Sequence, residues 1–202
     1  QRLDDFVNQH FYKPMGLQYM GYNPLYHFDK QQIVPTEMDI YLRRTLVHGY
    51  VHDPGAALQE GVGGHAGIFS NAWDVAVMLQ MNLQEGFYGG KWLLNPETIH
   101  KFNSRYSTRN RRGLGWDKPD IKRLANNSSD FTSESTFGHT GFTGTCAWAD
   151  PEQQLVYVFL SNRVHPFVGN QKLVRENVRT RIQDIIYESI KGFAEKLELT
   201  KA

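Results

Sequence analysis

Gly138-His139-Thr140-Gly141-Phe142-Thr143-Gly144 runs into Thr145-Cys146-Ala147-Trp148-Ala149, which Asp150-Pro151-Glu152-Gln153-Gln154 joins to Leu155-Val156-Tyr157-Val158-Phe159-Leu160. Three glycines in the first seven residues let the backbone turn tightly and let other groups approach it closely. The two runs behind them are rich in β-formers, and the connector has turn chemistry. The spacing therefore predicts an antiparallel hairpin pairing 145–149 with 155–160. Residues 155–160 are apolar without alternation, which predicts burial on both faces. His139 through Phe142 are expected at the inner edge of the same sheet.

Downstream, Val178, Ile182, Ile185, Ile186 and Phe193 form one apolar stripe, predicting a helix over 174–193 that packs on the sheet. Upstream, Leu3, Phe6, Val7, His10 and Phe11 recur at helical spacing until Pro14 and Gly16 stop them. Thr36-Glu37-Met38-Asp39 reads as a capping box opening a helix toward Leu46, ended by Gly49. Residues 52–67 read as a glycine-heavy loop, and Asn71 or Ser70 as the cap of a helix over 72–83. Asn95-Pro96 offers a further N-cap with proline at the first helical position. Residues 104–135 read as a long surface excursion containing one short strand at Gly113-Leu114-Gly115-Trp116. The fold class expected is α+β, with helices beside an antiparallel sheet.

A chain of 202 residues, 40% hydrophobic and 13% aromatic, can bury a core of one domain or of a large piece of one. Its 22 basic and 21 acidic residues nearly cancel, and no cationic run exists to follow a phosphate backbone, so no nucleic-acid partner is expected. No stretch reaches the ~20 apolar residues of a membrane span. The lone Cys146 excludes an internal disulfide and reads as a small buried hydrophobe. His48 and His52 have the spacing of a metal pair, but Gly49 lies between them and no Glu follows His48, so no metal is expected. Gly61-x-Gly63-x-x-Ala66 lacks the preceding apolar strand of a dinucleotide site, so no cofactor is expected either. His65 reads more readily as a structural hydrogen bonder than as a site residue.

His139-Thr140-Gly141, followed by a hairpin and a closing helix, resembles the Lys-Thr-Gly or His-Thr-Gly strand of serine β-lactamases, DD-peptidases and related esterases. Tyr12-Lys13-Pro14-Met15-Gly16-Leu17 is similar to the Pro-Leu-Gly-Met region of class C-like members. His52-Asp53, Gly64-His65-Ala66-Gly67-Ile68-Phe69-Ser70 and Gly113-Leu114-Gly115-Trp116 resemble family blocks in the same order. The resemblance covers nearly all of the chain. It implies a partial serine β-lactamase/DD-peptidase-like fold and the later part of a hydrolase domain.

Neither Ser-x-x-Lys nor the family's Tyr-x-Asn or Ser-x-Asn occurs in these residues. In the family both lie before the Pro-Leu-Gly-Met region, here already at position 14. The chain enters a helical pattern at once and without an initiator Met, so residues 1–202 are read as a single incomplete domain whose partner is the upstream part of the same polypeptide. The resemblance assigns the site to His139, Thr140, Gly141 and Phe142. The Phe142 N–H would be an oxyanion donor, Thr140 would hold a substrate carboxylate, His139 would tune protons and charge near the serine's base, and Gly141 would keep the edge clear. It further implies an acyl-enzyme mechanism on amide or ester bonds of a small-molecule or peptidoglycan-derived substrate, in the periplasm or cell envelope. The competing reading is a non-catalytic binding or spacer module that keeps the fold.

Overall fold

The computed structural model describes residues 1–120 and 127–199, with side chains through 192. In chain order the elements begin with α1 (Leu3–Val7), continued by a π-helical turn (Asn8–Tyr12) into α2 (Lys13–Met15). Next come β1 (Gly21–Tyr22), β2 (Pro35–Asp39), β3 (Thr45–His48), α3 (Pro54–Ala57), β4 (Ile68–Phe69) and α4 (Ala72–Leu83). They are followed by β5 (Phe87–Tyr88), β6 (Lys91–Trp92), α5 (Pro96–Asn103), β7 (Phe137–Thr140), β8 (Cys146–Asp150), β9 (Leu155–Phe159), α6 (Lys172–Arg175) and α7 (Val178–Leu199). The predicted α+β class is present, as helices and small antiparallel sheets.

The largest sheet among the described residues has the order β7-β8-β9, antiparallel throughout. Cys146 faces Phe159 and Trp148 faces Tyr157, one residue along from the expected start of the first strand. Side chains alternate between the two faces of a strand. Cys146, Trp148, Tyr157 and Phe159 therefore meet Ile182 and Ile186 of α7, whereas Phe137, Ala149, Val156 and Val158 meet Leu79 and Leu83 of α4. The unbroken apolar run 155–159 follows from this double cover. Burying a side chain such as Phe137 contributes about 1.5–3 kcal/mol. Gly138 is forced by the packing, because a Cβ there would lie 2.2 Å from the Ala147 carbonyl and 2.6 Å from the Trp148 ring.

The C-terminal helix is broken where the stripe read as continuous. α6 ends at Arg175, Asn177 takes φ +50°, and α7 starts at Val178. Phe193, counted in that stripe, lies outside the described side chains. Asn71 caps α4 as expected, its side chain accepting from Asp74 N–H at 2.8 Å, and Asn95 caps α5 by accepting from Glu97 N–H at 2.9 Å.

The helix expected from Thr36 toward Leu46 is a hairpin instead, β2 paired with β3. The Asp39 carboxylate does not return to Thr36. It accepts from the amides of Tyr41, Leu42 and Arg43 and from Arg43 Nε at 2.6 Å, closing a turn in place of a helix. The guanidinium and the three amides hold that carboxyl well below the usual range. Thr36 Oγ1 donates to the Tyr50 carbonyl at 3.0 Å, outside any cap. Within the 52–67 loop, Asp53 caps the single turn of α3.

The excursion beginning at Ser104 meets the sheet at several points, among them Ser133, whose N–H and hydroxyl donate to the Asp150 carboxylate of β8. The strand expected at 113–116 is reduced to a bridge in which Asp117 N–H donates to the Gly138 carbonyl at 2.7 Å and Gly138 N–H donates to the Asp117 carbonyl at 3.1 Å. Residues 121–126 of that excursion lie outside the described residues. The Asp117 side chain is 1% exposed and accepts from Arg111 Nε at 2.6 Å and Nη2 at 3.0 Å. Burial pushes its carboxyl up, but the bonds and charge of Arg111, with the charge of Arg112, outweigh that and leave it below its ordinary value.

Two predictions follow from these anchors. Replacing Asn71 by Ala should lower stability by about 0.5–2 kcal/mol, read from a denaturant titration, and an unchanged midpoint would show that the cap contributes nothing. A carboxyl whose folded pKa is depressed stabilises fully above its unfolded value of about 3.9, and that contribution fades as pH falls toward the folded pKa. Asp117→Asn should therefore be less stable than the unsubstituted protein at pH 7, with the gap narrowing below about pH 4. A gap constant across that range would rule out an ionic contribution from Asp117.

Candidate active site

His139 and Thr140 end β7, and Gly141 and Phe142 follow them in the turn toward β8. Gly138 turns both its amide and its carbonyl away from β8 toward Asp117. Backbone groups alternate in direction along an antiparallel strand, so the Thr140 amide points to the same outer side as that of Gly138. Gly141, one step out of phase, donates back into the hairpin to the Thr145 carbonyl at 2.8 Å. A tight turn then reverses the chain, with Gly144 N–H donating to the Gly141 carbonyl at 3.1 Å. Gly144 takes φ +115°, a conformation that favours glycine. Among the described residues, Phe142 N–H has no hydrogen-bond acceptor. The edge is thus closed at Gly138 and open at Thr140, and the turn beyond it leaves the Phe142 N–H unpaired among the described residues.

His139 sits on this edge with both ring nitrogens engaged. Nδ1 meets the Thr140 carbonyl at 2.7 Å, and Nε2 meets Nη1 of Arg112. Arg112 reaches it from the Asp117 corner, its Nε 3.7 Å from an Asp117 carboxylate oxygen.

Phe142 lies past the end of β7, in the turn. Its ring is 63% exposed yet flanked by two partners, the His52 ring at 5.2 Å between centroids and the Arg163 guanidinium 4.6 Å above its centre. Arg163 is fixed by donating from Nη1 to the carbonyls of Val168 and Asn170, and from its backbone to Thr143. His52 Nε2 lies 3.1 Å from a Glu37 carboxylate oxygen, but off the line a hydrogen bond requires. The β2–β3 hairpin is tied to the segment after β9 by Asn162, which donates to the carbonyls of Pro35 and Thr36, and by Met38 N–H on the Pro166 carbonyl. The hairpin replacing the expected helix is therefore what supports Phe142.

His48, His65 and the cysteine take structural places. His48 bonds the Ile33 carbonyl, and His65 meets the Asp53 carboxylate at 2.9 Å beside the cap of α3. No group of three or more metal-ligating side chains occurs among the described residues. Cys146 is buried between Trp148 and Tyr157, where burial pushes its thiol up to about 11. Sequence reading missed Arg112, Arg163 and Glu37. The Arg111-Arg112 pair directly before Gly113-Leu114-Gly115-Trp116 was a usable signal, but its contact with His139 spans 27 residues.

The family model described as Beta-lactamase matches residues 1–178. A protein of Escherichia coli strain K12 named "Putative D-alanyl-D-alanine carboxypeptidase" is 37% identical over 185 residues, a match covering 85% of this chain and 43% of that protein. The chain thus spans less than half the length of that relative. Among solved structures, a beta-lactamase from Mycobacterium bovis superposes with a TM-score of 0.60 at 15% identity, over 93% of this chain and 56% of its own. A LovD9 mutant of simvastatin synthase from Aspergillus terreus also gives 0.60 at 15% identity, over 95% of this chain and 51% of its own. At such identity the likeness speaks for the fold. With a family match running through residues 1–178, the chain belongs to the Beta-lactamase family.

Proposed function

We propose that residues 1–202 form one wall of the acyl-transfer site of a serine hydrolase, as part of a single domain completed by a preceding segment of the same polypeptide. The observation that carries this reading is the Phe142 N–H, which directly follows His139-Thr140-Gly141 and has no acceptor among the described residues, as suits a donor to a substrate carbonyl. The Phe142 N–H donates to the oxygen that becomes negative when a serine hydroxyl adds to the carbonyl carbon. The C–N or C–O bond then breaks, the leaving group takes a proton, and water later releases the acyl group from the serine. Thr140 holds a carboxylate on the substrate, and Gly141, without a side chain, leaves the edge clear. His139 sets charge and proton positions beside the serine's base.

The substrate class is a small amide or ester, such as a β-lactam or a peptide derived from peptidoglycan, and the location is the periplasm or cell envelope. The name of the Escherichia coli relative supports this reading. No helix among the described residues is long and apolar enough to cross a membrane.

The nucleophile and its base are not among these residues, since neither Ser-x-x-Lys nor Tyr-x-Asn occurs in them. The 202 residues alone should therefore be inert toward a chromogenic cephalosporin, a p-nitrophenyl ester and a fluorescent penicillin, whereas the full-length polypeptide should acquire a covalent label. Turnover or a stoichiometric adduct on residues 1–202 alone would place the nucleophile inside them and sink the assignment. An unlabelled, inactive full-length polypeptide would favour the non-catalytic module.

A further inference from the structure

His139 carries two contacts that only one form of imidazole satisfies. An arginine guanidinium has no acceptor, so the nitrogen that meets Arg112 must offer a lone pair, which leaves Nε2 bare. A carbonyl oxygen has no proton to give, so the nitrogen that meets Thr140 O must carry the hydrogen. Both conditions together specify the neutral ring with its proton on Nδ1. The other neutral tautomer would set N–H against N–H at Arg112 and lone pair against lone pair at Thr140.

Arg112 is itself held in place. Its backbone N–H donates to Asn110 Oδ1 at 2.9 Å, its carbonyl accepts from Tyr106 N–H at 3.0 Å, and its guanidinium lies beside Asp117. Asp117 in turn is paired through its backbone to Gly138, the residue immediately before His139. One short path of contacts thus fixes the arginine relative to the strand it serves. The surrounding stretch 105–120 holds Arg105, Arg109, Arg111, Arg112 and Lys118 against Asp117 and Asp120, five cations to two carboxylates.

We propose that Arg112 is a positioning residue that holds His139 as the single neutral tautomer protonated on Nδ1, and that the positive charge of this corner stands on Arg112 and outside the His-Thr-Gly strand. The proposal rests on the acyl-transfer reading for its consequence, though not for its geometry. A neutral imidazole donating to the Thr140 carbonyl keeps that carbonyl from competing with the substrate for the edge. The guanidinium next to it, 46% exposed, attracts an anionic group on the substrate.

The test uses the full-length polypeptide with 15N-labelled histidine, its His139 signals assigned by their loss in His139→Gln. Long-range 15N–1H correlations should show a protonated Nδ1 and a bare Nε2 at His139. In Arg112→Ala the two nitrogens should move toward an averaged mixture of tautomers, and Arg112→Lys, which keeps a donor, should restore part of the original pattern. An identical His139 pattern in the unsubstituted protein and Arg112→Ala would overturn the proposal, as would an unsubstituted pattern with the proton on Nε2. As a second readout, Arg112→Ala should lower kcat/KM for an ester bearing a free carboxylate about tenfold more than for its neutral methyl ester. Equal losses on the two esters would overturn the placement of the charge. If the full-length polypeptide acylates nothing, the acyl-transfer reading fails, and the imidazole spectrum still decides the role of Arg112.

Discussion

A three-stranded sheet that is apolar on both faces cannot stand in water with either face bare, and β7-β8-β9 is such a sheet. One face needs α4 and the other needs α7, so two helices separated by nearly a hundred residues of chain are drawn to a common centre. Trp148, 2% exposed, occupies the middle strand on the α7 side, and Phe137, 1% exposed, lies on the α4 side. Gly138 is small because Trp148 and the Ala147 carbonyl fill the space its side chain would take. The strand carrying His139 and Thr140 is thereby fixed from behind by packing, which leaves only its outer edge available for chemistry.

The outer edge is shaped by polar anchors. Asp117 pairs with Gly138 and stops the edge from extending further back, while the Gly141–Gly144 turn ends it in front. The flanking side chains belong to three distant parts of the sequence: Arg112 at one end, His52 and Arg163 around Phe142 at the other. Each is secured by carbonyl or carboxylate partners of its own, which limits how far it can drift from the strand.

The sheet, the caps and the amphipathic helices were legible in the sequence because their causes are local. Asn71 and Asn95 stand next to the amides they cap, and 155–159 reads as apolar because both its faces are covered. Thr36 to Leu46 misled for an equally physical reason. Its buried face carries Glu37 and Asp39, so the alternation that marks a strand is hidden by charges that become acceptable only once Arg43 folds back onto them. The His-Thr-Gly pattern pointed to His139–Phe142 as candidates, but the residues that contact them could not be read from it. Arg112 and His139 meet across 27 positions and Asn162 and Pro35 across 127, distances at which no period or cap operates.

An open strand edge is also a hazard, since unpaired amides and carbonyls invite a strand from any other chain. In β7 the exposure is limited, because the strand is four residues long. Asp117 occupies one end, the Gly141–Gly144 turn bends the other away, and Arg112 stands beside His139 with a charge that a second copy of this chain would bring in equal sign. The cation beside this strand therefore opposes edge-to-edge association, and neutralising it would raise the tendency to aggregate.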